Sequence, residues 1–202
     1  MIKVGITGGI GSGKSSVKEI FRKKGSIVFD SDEIVKKLLE KDEEGYKTVV
    51  EQFGNEILDE NLNIDKNKLS QIVFTDSQKR KNLEEIIHPL VIKEREKIFS
   101  QLERKLSPKD FVVAEAALIF EADTKKYFDF VILVKAPKEL RIKRVAEKGL
   151  TLSQIEERMK AQWDDEKKEK LADFVIENDS DLKVLEEKVN AIIKKIREMK
   201  NV

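Results

Sequence analysis

Eight residues near the start of the chain carry the clearest chemistry. Gly8-Gly9-Ile10-Gly11-Ser12-Gly13-Lys14-Ser15 fits G-x-x-x-x-G-K-[ST] at every fixed position. A polyphosphate is a dense anion, and backbone N–H groups can converge on it only where the chain curls tightly. Gly9, Gly11 and Gly13, with Gly8 before them, remove the Cβ atoms that would obstruct that path, and Ser12 lies between them. A helix predicted to begin at the end of the loop turns its free N–H groups and positive dipole end toward the anion. Lys14 adds a mobile positive charge for the β- and γ-phosphates, Ser15 offers a hydroxyl to Mg²⁺, and Ser16 can donate to a phosphate. These residues lie where a phosphate loop belongs, between a short β-branched run at 2–6 and a helical pattern with apolar residues at 17, 20 and 21.

Such a loop binds a nucleotide without saying what becomes of it. A guanine-reading N-K-x-D segment is missing, since the one Asn-Lys pair, Asn67-Lys68, continues as Leu69-Ser70. Asp42-Glu43-Glu44-Gly45 matches D-x-x-G by letter but follows a helical pattern rather than a strand. No apolar run ends in paired acids as motor and transporter ATPases require, because Val112-Val113-Ala114-Glu115 offers a single acid.

What remains is a small-molecule kinase, with a nucleotide-binding protein that transfers nothing as the alternative from another class. A kinase needs a carboxylate to orient or deprotonate the acceptor hydroxyl, and Asp32 follows the second apolar run closely enough to serve. It also needs cations that close over the phosphates, for which Arg141, Arg144 and Arg158 are the candidates. Asn178 follows the last apolar run, where a residue reading the adenine can sit. His88, the only histidine, lies in Ile87-His88-Pro89-Leu90 and is a candidate substrate contact, with plain packing as the alternative. Trp163 is expected to pack rather than to stack on a base.

These residues are far apart in sequence, so the fold must gather them. Strands are expected at 2–7, 27–29, 111–114, 129–134 and 174–176, each short and apolar. Helical periodicity occupies the intervals, with Lys23-Lys24-Gly25, Gly54 and Gly149 as stops and Thr151-x-x-Gln154 as a capping box. Pro89 should kink or break the long helical pattern near His88. Buried strands alternating with helices predict an α/β fold with a five-stranded parallel sheet, and ligands on such sheets bind at the carboxyl ends of the strands. The stretch between the second and third strands is too long for an ordinary crossover. The expected division is therefore a core of 1–32, 109–140 and 173–202, an inserted helical substrate subdomain at 33–108, and a helical lid at 141–172.

Composition sets outer limits. The 202 residues carry 40 Lys+Arg against 39 Asp+Glu, so bulk charge gives no case for nucleic acid as a partner. There is no cysteine, which removes disulfides and thiolate metal sites and suits a cytoplasmic protein. No apolar run has the roughly 18–20 residues of a membrane span, so no membrane association is expected. The start of the chain lacks the basic flank of a signal peptide. Oligomeric state has no signature here.

Over almost its full length the chain resembles the dephospho-CoA kinases. The residues that carry this are Thr7-Gly8-Gly9-Ile10-Gly11-Ser12-Gly13-Lys14-Ser15, Phe29-Asp30-Ser31-Asp32, Ile87-His88-Pro89-Leu90 and Ala117-Leu118-Ile119-Phe120-Glu121, followed by Ala161-Gln162 through Ala172-Asp173-Phe174-Val175-Ile176-Glu177-Asn178. The resemblance implies a three-layer P-loop NTPase fold with a helical CoA-binding insertion and a lid. It implies ATP as donor with Mg²⁺, and dephospho-CoA as the small-molecule acceptor, phosphorylated on its ribose 3′-hydroxyl to give CoA and ADP, the last step of coenzyme A biosynthesis. It also implies Asp32 as the catalytic base, beside Lys14 and Arg144. Two stretches depart from the family pattern. Members often have Asp-x-Pro-Leu-Leu after the third strand, where this chain has Glu115-Ala116-Ala117-Leu118-Ile119, a carboxylate that can act on Mg²⁺ through water. Many carry Arg-Asp before the second lid helix, where Lys148-Gly149 supplies charge without a bidentate fork. Another small-metabolite or nucleotide kinase is the alternative within the same class.

Overall fold

A computed structural model describes residues 1–201, apart from the side chain of Phe74. In chain order its strands are β1 (Ile2–Thr7), β2 (Ile27–Asp30), β3 (Phe111–Glu115), β4 (Phe130–Lys135) and β5 (Phe174–Glu177). Its helices are α1 (Lys14–Lys23), α2 (Ser31–Leu38), α3 (Glu44–Phe53), α4 (Lys66–Thr75), α5 (Ser77–Glu103), α6 (Lys138–Ala146), α7 (Leu152–Lys160), α8 (Asp165–Glu169) and α9 (Leu182–Lys200).

The strands form one five-stranded sheet in the order β2-β3-β1-β4-β5, with every pairing parallel. The near-continuous apolar runs follow from this, because β1, β3 and β4 are inner strands covered on both faces. Alternate residues serve the two faces. Ile2, Val4 and Ile6 of β1, with Phe111, Val113, Ile132 and Val134, pack under α1 and α9, which contribute Val17, Phe21, Val189 and Ile196. On the other face Val131 packs with Ile119 and Phe120, and Phe128, Trp163 and Ala172 lie against them. Gly5 faces this second layer, and a Cβ there would crowd Ile119 and Phe128.

The chain divides into two compact units, residues 1–30 with 102–202, and residues 31–101. The second unit has its own apolar centre, built from Val49, Ile57, Leu58, Leu69, Val73 and Ile87. Gly54 stops α3 at φ 79°, and Asp65 caps α4 by accepting from the N–H groups of Asn67 and Lys68. The turn expected around Asp59 forms, with its carboxylate accepting from the N–H groups of Asn61 and Asn63. A single antiparallel bridge, Leu58 to Ile64, closes it, a feature that helical periodicity did not foreshadow.

One expectation is corrected. Of the kink or break expected at Pro89, the break does not occur, since α5 runs unbroken from Ser77 to Glu103 with Pro89 inside it. A proline deprives the carbonyl four residues earlier of its donor. Here that residue is Glu85, and both Glu85 and Pro89 lie exposed on the helix surface, where water can take the place of the lost N–H.

Candidate active site

β1 lies between β3 and β4, so the chain leaving it at Gly8 emerges where the sheet's connections diverge to either side. The loop runs from there to α1. Its geometry demands glycine at two places in particular. Gly11 at φ 76° would press a Cβ against the Arg141 carbonyl, and Gly13 at φ 93° would press one into the Asn178 amide. α1 opens directly from Gly13 with no side-chain cap and no acidic residue in its first turn, so its positive end is not locally neutralised. The Lys14 ammonium donates to the carbonyls of Gly8 (2.9 Å) and Gly9 (3.3 Å) and so lies along the loop.

Residues distant in sequence hold this loop. Arg141 donates through Nε to the Ile10 carbonyl (2.9 Å) and pairs through Nη1 with Asp165 (3.1 Å). The Ile10 N–H donates to Gln162 Oε1 (2.9 Å), so both polar groups of that peptide are engaged from the 141–172 segment. Asn178 is buried, and its Nδ2 donates to the Ser12 carbonyl (2.8 Å). Arg144 donates to the Asn178 carbonyl (3.2 Å) and reaches the Ser12 carbonyl at 3.5 Å. Arg141, Arg144 and Asn178 are therefore brought to the phosphate loop, each gripping its backbone or a neighbour's. Gln162 was not among the residues read as functional, although it directly precedes Trp163 in a stretch already singled out.

A second group of contacts lies on the Ser15 side. The Ser15 hydroxyl donates to Glu115 Oε1 at 3.2 Å. The other oxygen of Glu115 lies 2.8 Å from the Lys18 ammonium, which also stands 2.8 Å from Asp30 Oδ2. Parallel register explains the meeting, because Asp30 and Glu115 are paired residues at the ends of β2 and β3. Lys18 lies one helical turn beyond Ser15 and turns into the same space. Burial works against its charge, but hydrogen bonds with Asp30 and Glu115 outweigh that and hold the ammonium above its ordinary range. Lys18 was missed in the sequence, where the signal was a lysine set among the apolar positions 17, 20 and 21 of an amphipathic helix.

Among the described residues no group of three or more His, Cys, Asp or Glu side chains is arranged to cage a metal ion. The donors present are one hydroxyl and one adjacent carboxylate. That set fits Mg²⁺, which takes few protein oxygens and fills its shell with phosphate and water.

Asp32 and His88 lie in the second unit. Asp32 occupies the first turn of α2, two residues beyond the end of β2, and is exposed to solvent. His88 is half-buried on α5. Its burial holds the imidazole below its ordinary pKa, partly offset by Glu84 one turn earlier.

The end of the 141–172 segment is bound tightly to the sheet. Lys168 of α8 is fully buried, paired with Glu121 at 2.8 Å and donating to the Ala117 carbonyl at 3.2 Å. Glu121 also accepts from the Trp163 N–H at 3.0 Å. Lys135 at the end of β4 pairs with Glu169 at 2.8 Å. Nothing in the local sequence marks Lys168 as buried; only the packing of α8 beneath the loop after β3 does so. The expected capping box does form, with Thr151 and Gln154 exchanging side-chain and backbone hydrogen bonds at the start of α7.

Comparison with known proteins adds an independent line. The family model described as dephospho-CoA kinase matches residues 2–184. A dephospho-CoA kinase of Aquifex aeolicus is 38% identical over 196 residues, covering 97% of this chain and 98% of its own. A crystal structure of a Thermus thermophilus protein superposes with a TM-score of 0.78 at 34% identity, covering 96% of this chain and 97% of that one. The dephospho-CoA kinase of Campylobacter jejuni gives a TM-score of 0.70 at 27% identity, with 97% of each chain covered.

Proposed function

The chain belongs to the dephospho-CoA kinase family and is an ATP-dependent kinase, and from that premise we propose how its own residues carry out the transfer. The donor is ATP, held by the loop from Gly8 to Ser16. The acceptor is the ribose 3′-hydroxyl of dephospho-CoA. Asp32 orients that hydroxyl and accepts its proton as the oxygen forms a bond to the γ-phosphorus. The bond from the γ-phosphorus to the bridging oxygen breaks, and ADP leaves. The amides of Gly9, Gly11, Ser12 and Gly13, the helix end at Ser15 and Ser16, and the Lys14 ammonium stabilise the charge spread over the transferred group. Arg144, fixed beside Ser12 and Asn178, supplies further positive charge, and Arg141 does so from the side of Ile10.

Ser15 and Glu115 are the residues that would hold Mg²⁺, the hydroxyl directly and the carboxylate through water. Such an ion would supply positive charge against the phosphate oxygens of the donor. The Ser15 proton is already directed at Glu115, which leaves the oxygen lone pairs available. Residues 33–108 form the substrate subdomain, where His88 contacts dephospho-CoA, and residues 141–172 form the lid. Asn178 serves the adenine side from the end of β5. The reaction belongs to the cytoplasm, and among the described residues no helix is long and apolar enough to cross a membrane.

The observation that carries this reading is the convergence of Lys14, Ser15, Glu115, Arg141, Arg144 and Asn178 around one glycine loop, in a chain alike to its relatives over nearly its whole length. Purified protein with Mg-ATP and a panel of dephospho-CoA, AMP, shikimate and no acceptor tests it. ADP formation confined to dephospho-CoA is expected. Turnover confined to another acceptor would overturn the assignment of the substrate, and tight ATP binding without transfer would leave a binding protein.

A further inference from the structure

Three charged side chains meet behind the Ser15 hydroxyl, and the reaction as derived uses only Glu115. Asp30 and Glu115 are paired residues at the ends of adjacent parallel strands, so their carboxylates are forced to the same level of the sheet. Two carboxylates held so close repel unless a cation lies with them. Lys18 is that cation. It is buried, stands 2.8 Å from an oxygen of each, and reaches them from the helix that also carries Lys14 and Ser15.

A metal ion could fill the same role. Asp30, Glu115 and Ser15 together offer the hard oxygen donors that a divalent cation takes. With lysine among them the node carries one net negative charge, and without it two. The ammonium also engages the far oxygen of Glu115 and leaves the near one to Ser15.

We propose that Lys18 is a positioning residue that acts as the donor site's built-in cation. It occupies the place of a second divalent ion, turns Glu115 toward Ser15, and restricts this edge of the sheet to the single Mg²⁺ that arrives with the nucleotide. Lys18 touches no reacting atom in this scheme and works through Glu115. The inference rests on the assignment of Ser15 and Glu115 to the metal side, and the ion count without nucleotide is read separately from the count with it.

The test is Mn²⁺ binding to the whole protein, followed by the electron paramagnetic resonance of the free ion. Wild type is expected to bind no Mn²⁺ without nucleotide at sub-millimolar concentration, and one ion per chain with a non-hydrolysable ATP analogue. Lys18→Met keeps an unbranched side chain one atom shorter and removes the charge. It should bind one Mn²⁺ per chain without nucleotide, at least about tenfold more tightly than wild type. Mn²⁺ should also raise the melting temperature of this variant but not that of wild type. Lys18→Arg keeps the charge and should gain no ion. A Lys18→Met protein that binds no additional Mn²⁺, or a Lys18→Arg protein that binds one, would overturn the proposal. Should Lys18→Met fail to fold, the wild-type count decides: a second ion with the analogue refutes the proposal, and one ion supports it. Ser15→Ala separates the underlying assignment, because unchanged Mn²⁺ affinity in the presence of the analogue would refute the metal role of Ser15 while leaving the nucleotide-free result standing.

Discussion

At the scale of single residues, the proposed chemistry turns on a few side chains whose removal should have separable effects. Asp32→Asn preserves shape and hydrogen-bonding reach but removes the basic oxygen. It should leave ATP affinity within about twofold and lower kcat by about 10²- to 10⁴-fold, the usual worth of a positioned base. Steady-state turnover alongside calorimetric ATP binding checks this, and near-normal turnover would remove Asp32 from the role. His88 offers a different measurement because it is the chain's only histidine. Its imidazole is held below the ordinary pKa, chiefly by burial. Well above pH 6.5 it is neutral whether the chain is folded or not, so it imposes no penalty there. As pH falls below that value the unfolded chain takes up the proton first, and stability is lost until the folded-state pKa is passed. His88→Gln should flatten this part of the profile of urea midpoint against pH between about 7 and 5, and an unchanged profile would show that other groups set it. The phosphate loop could be picked out in the sequence, since its chemistry is written in local spacing, and of the three arginines named there Arg141 and Arg144 reach the loop. Lys18 showed there only as a lysine set among apolar positions, because its partners depend on the register of β2 against β3, which no local pattern encodes.

At the scale of elements, the helical segment between β4 and β5 is not uniform. α6 delivers Arg141 and Arg144 to the loop, and α7 begins at a capping box. α8 is fastened to the sheet through Lys168, Lys135 and the peptide of Trp163. Burying a lysine completely is costly unless its partner is well placed, and removing one partner leaves the other charge stranded. Lys168→Met should therefore destabilise the fold by about 3–5 kcal/mol through the abandoned Glu121. Lys168→Met combined with Glu121→Gln should recover part of that loss, as read from urea unfolding. Equal stability of the single variant and wild type would show that the pair contributes nothing net. The strand runs, helix stops and capping box were legible because each is a contiguous signal. Pro89 did not stop α5, since on the solvent-facing side of that helix water can stand in for the missing donor.

At the scale of the whole molecule, two apolar centres lie on one chain, one around the sheet and one around Ile57 and its neighbours. The insertion was visible in the sequence as an overlong gap between strands, because a crossover of that length cannot be a simple connection. The order of the strands was not visible, since apolar runs reveal burial and not neighbours. Ile57 is fully buried in the second centre. Ile57→Ala should cost about 2–5 kcal/mol from lost transfer energy and cavity formation. Hydrogen exchange should accelerate first among the amides of 31–101, and a uniform loss of protection along the whole chain would show that the two centres unfold as one.

The position of Trp163 has an optical consequence. It is the chain's only tryptophan, its backbone N–H donates to Glu121, and the Lys167 ammonium stands 3.2 Å from the centre of its ring. A charge that close alters the emission of an indole, and the ring sits at the point where the arginine-bearing segment is fastened to the sheet. The fluorescence of the unmodified protein is therefore a local gauge of that fastening. In a chain with just two tyrosines to compete, it can be followed through nucleotide addition without any attached dye.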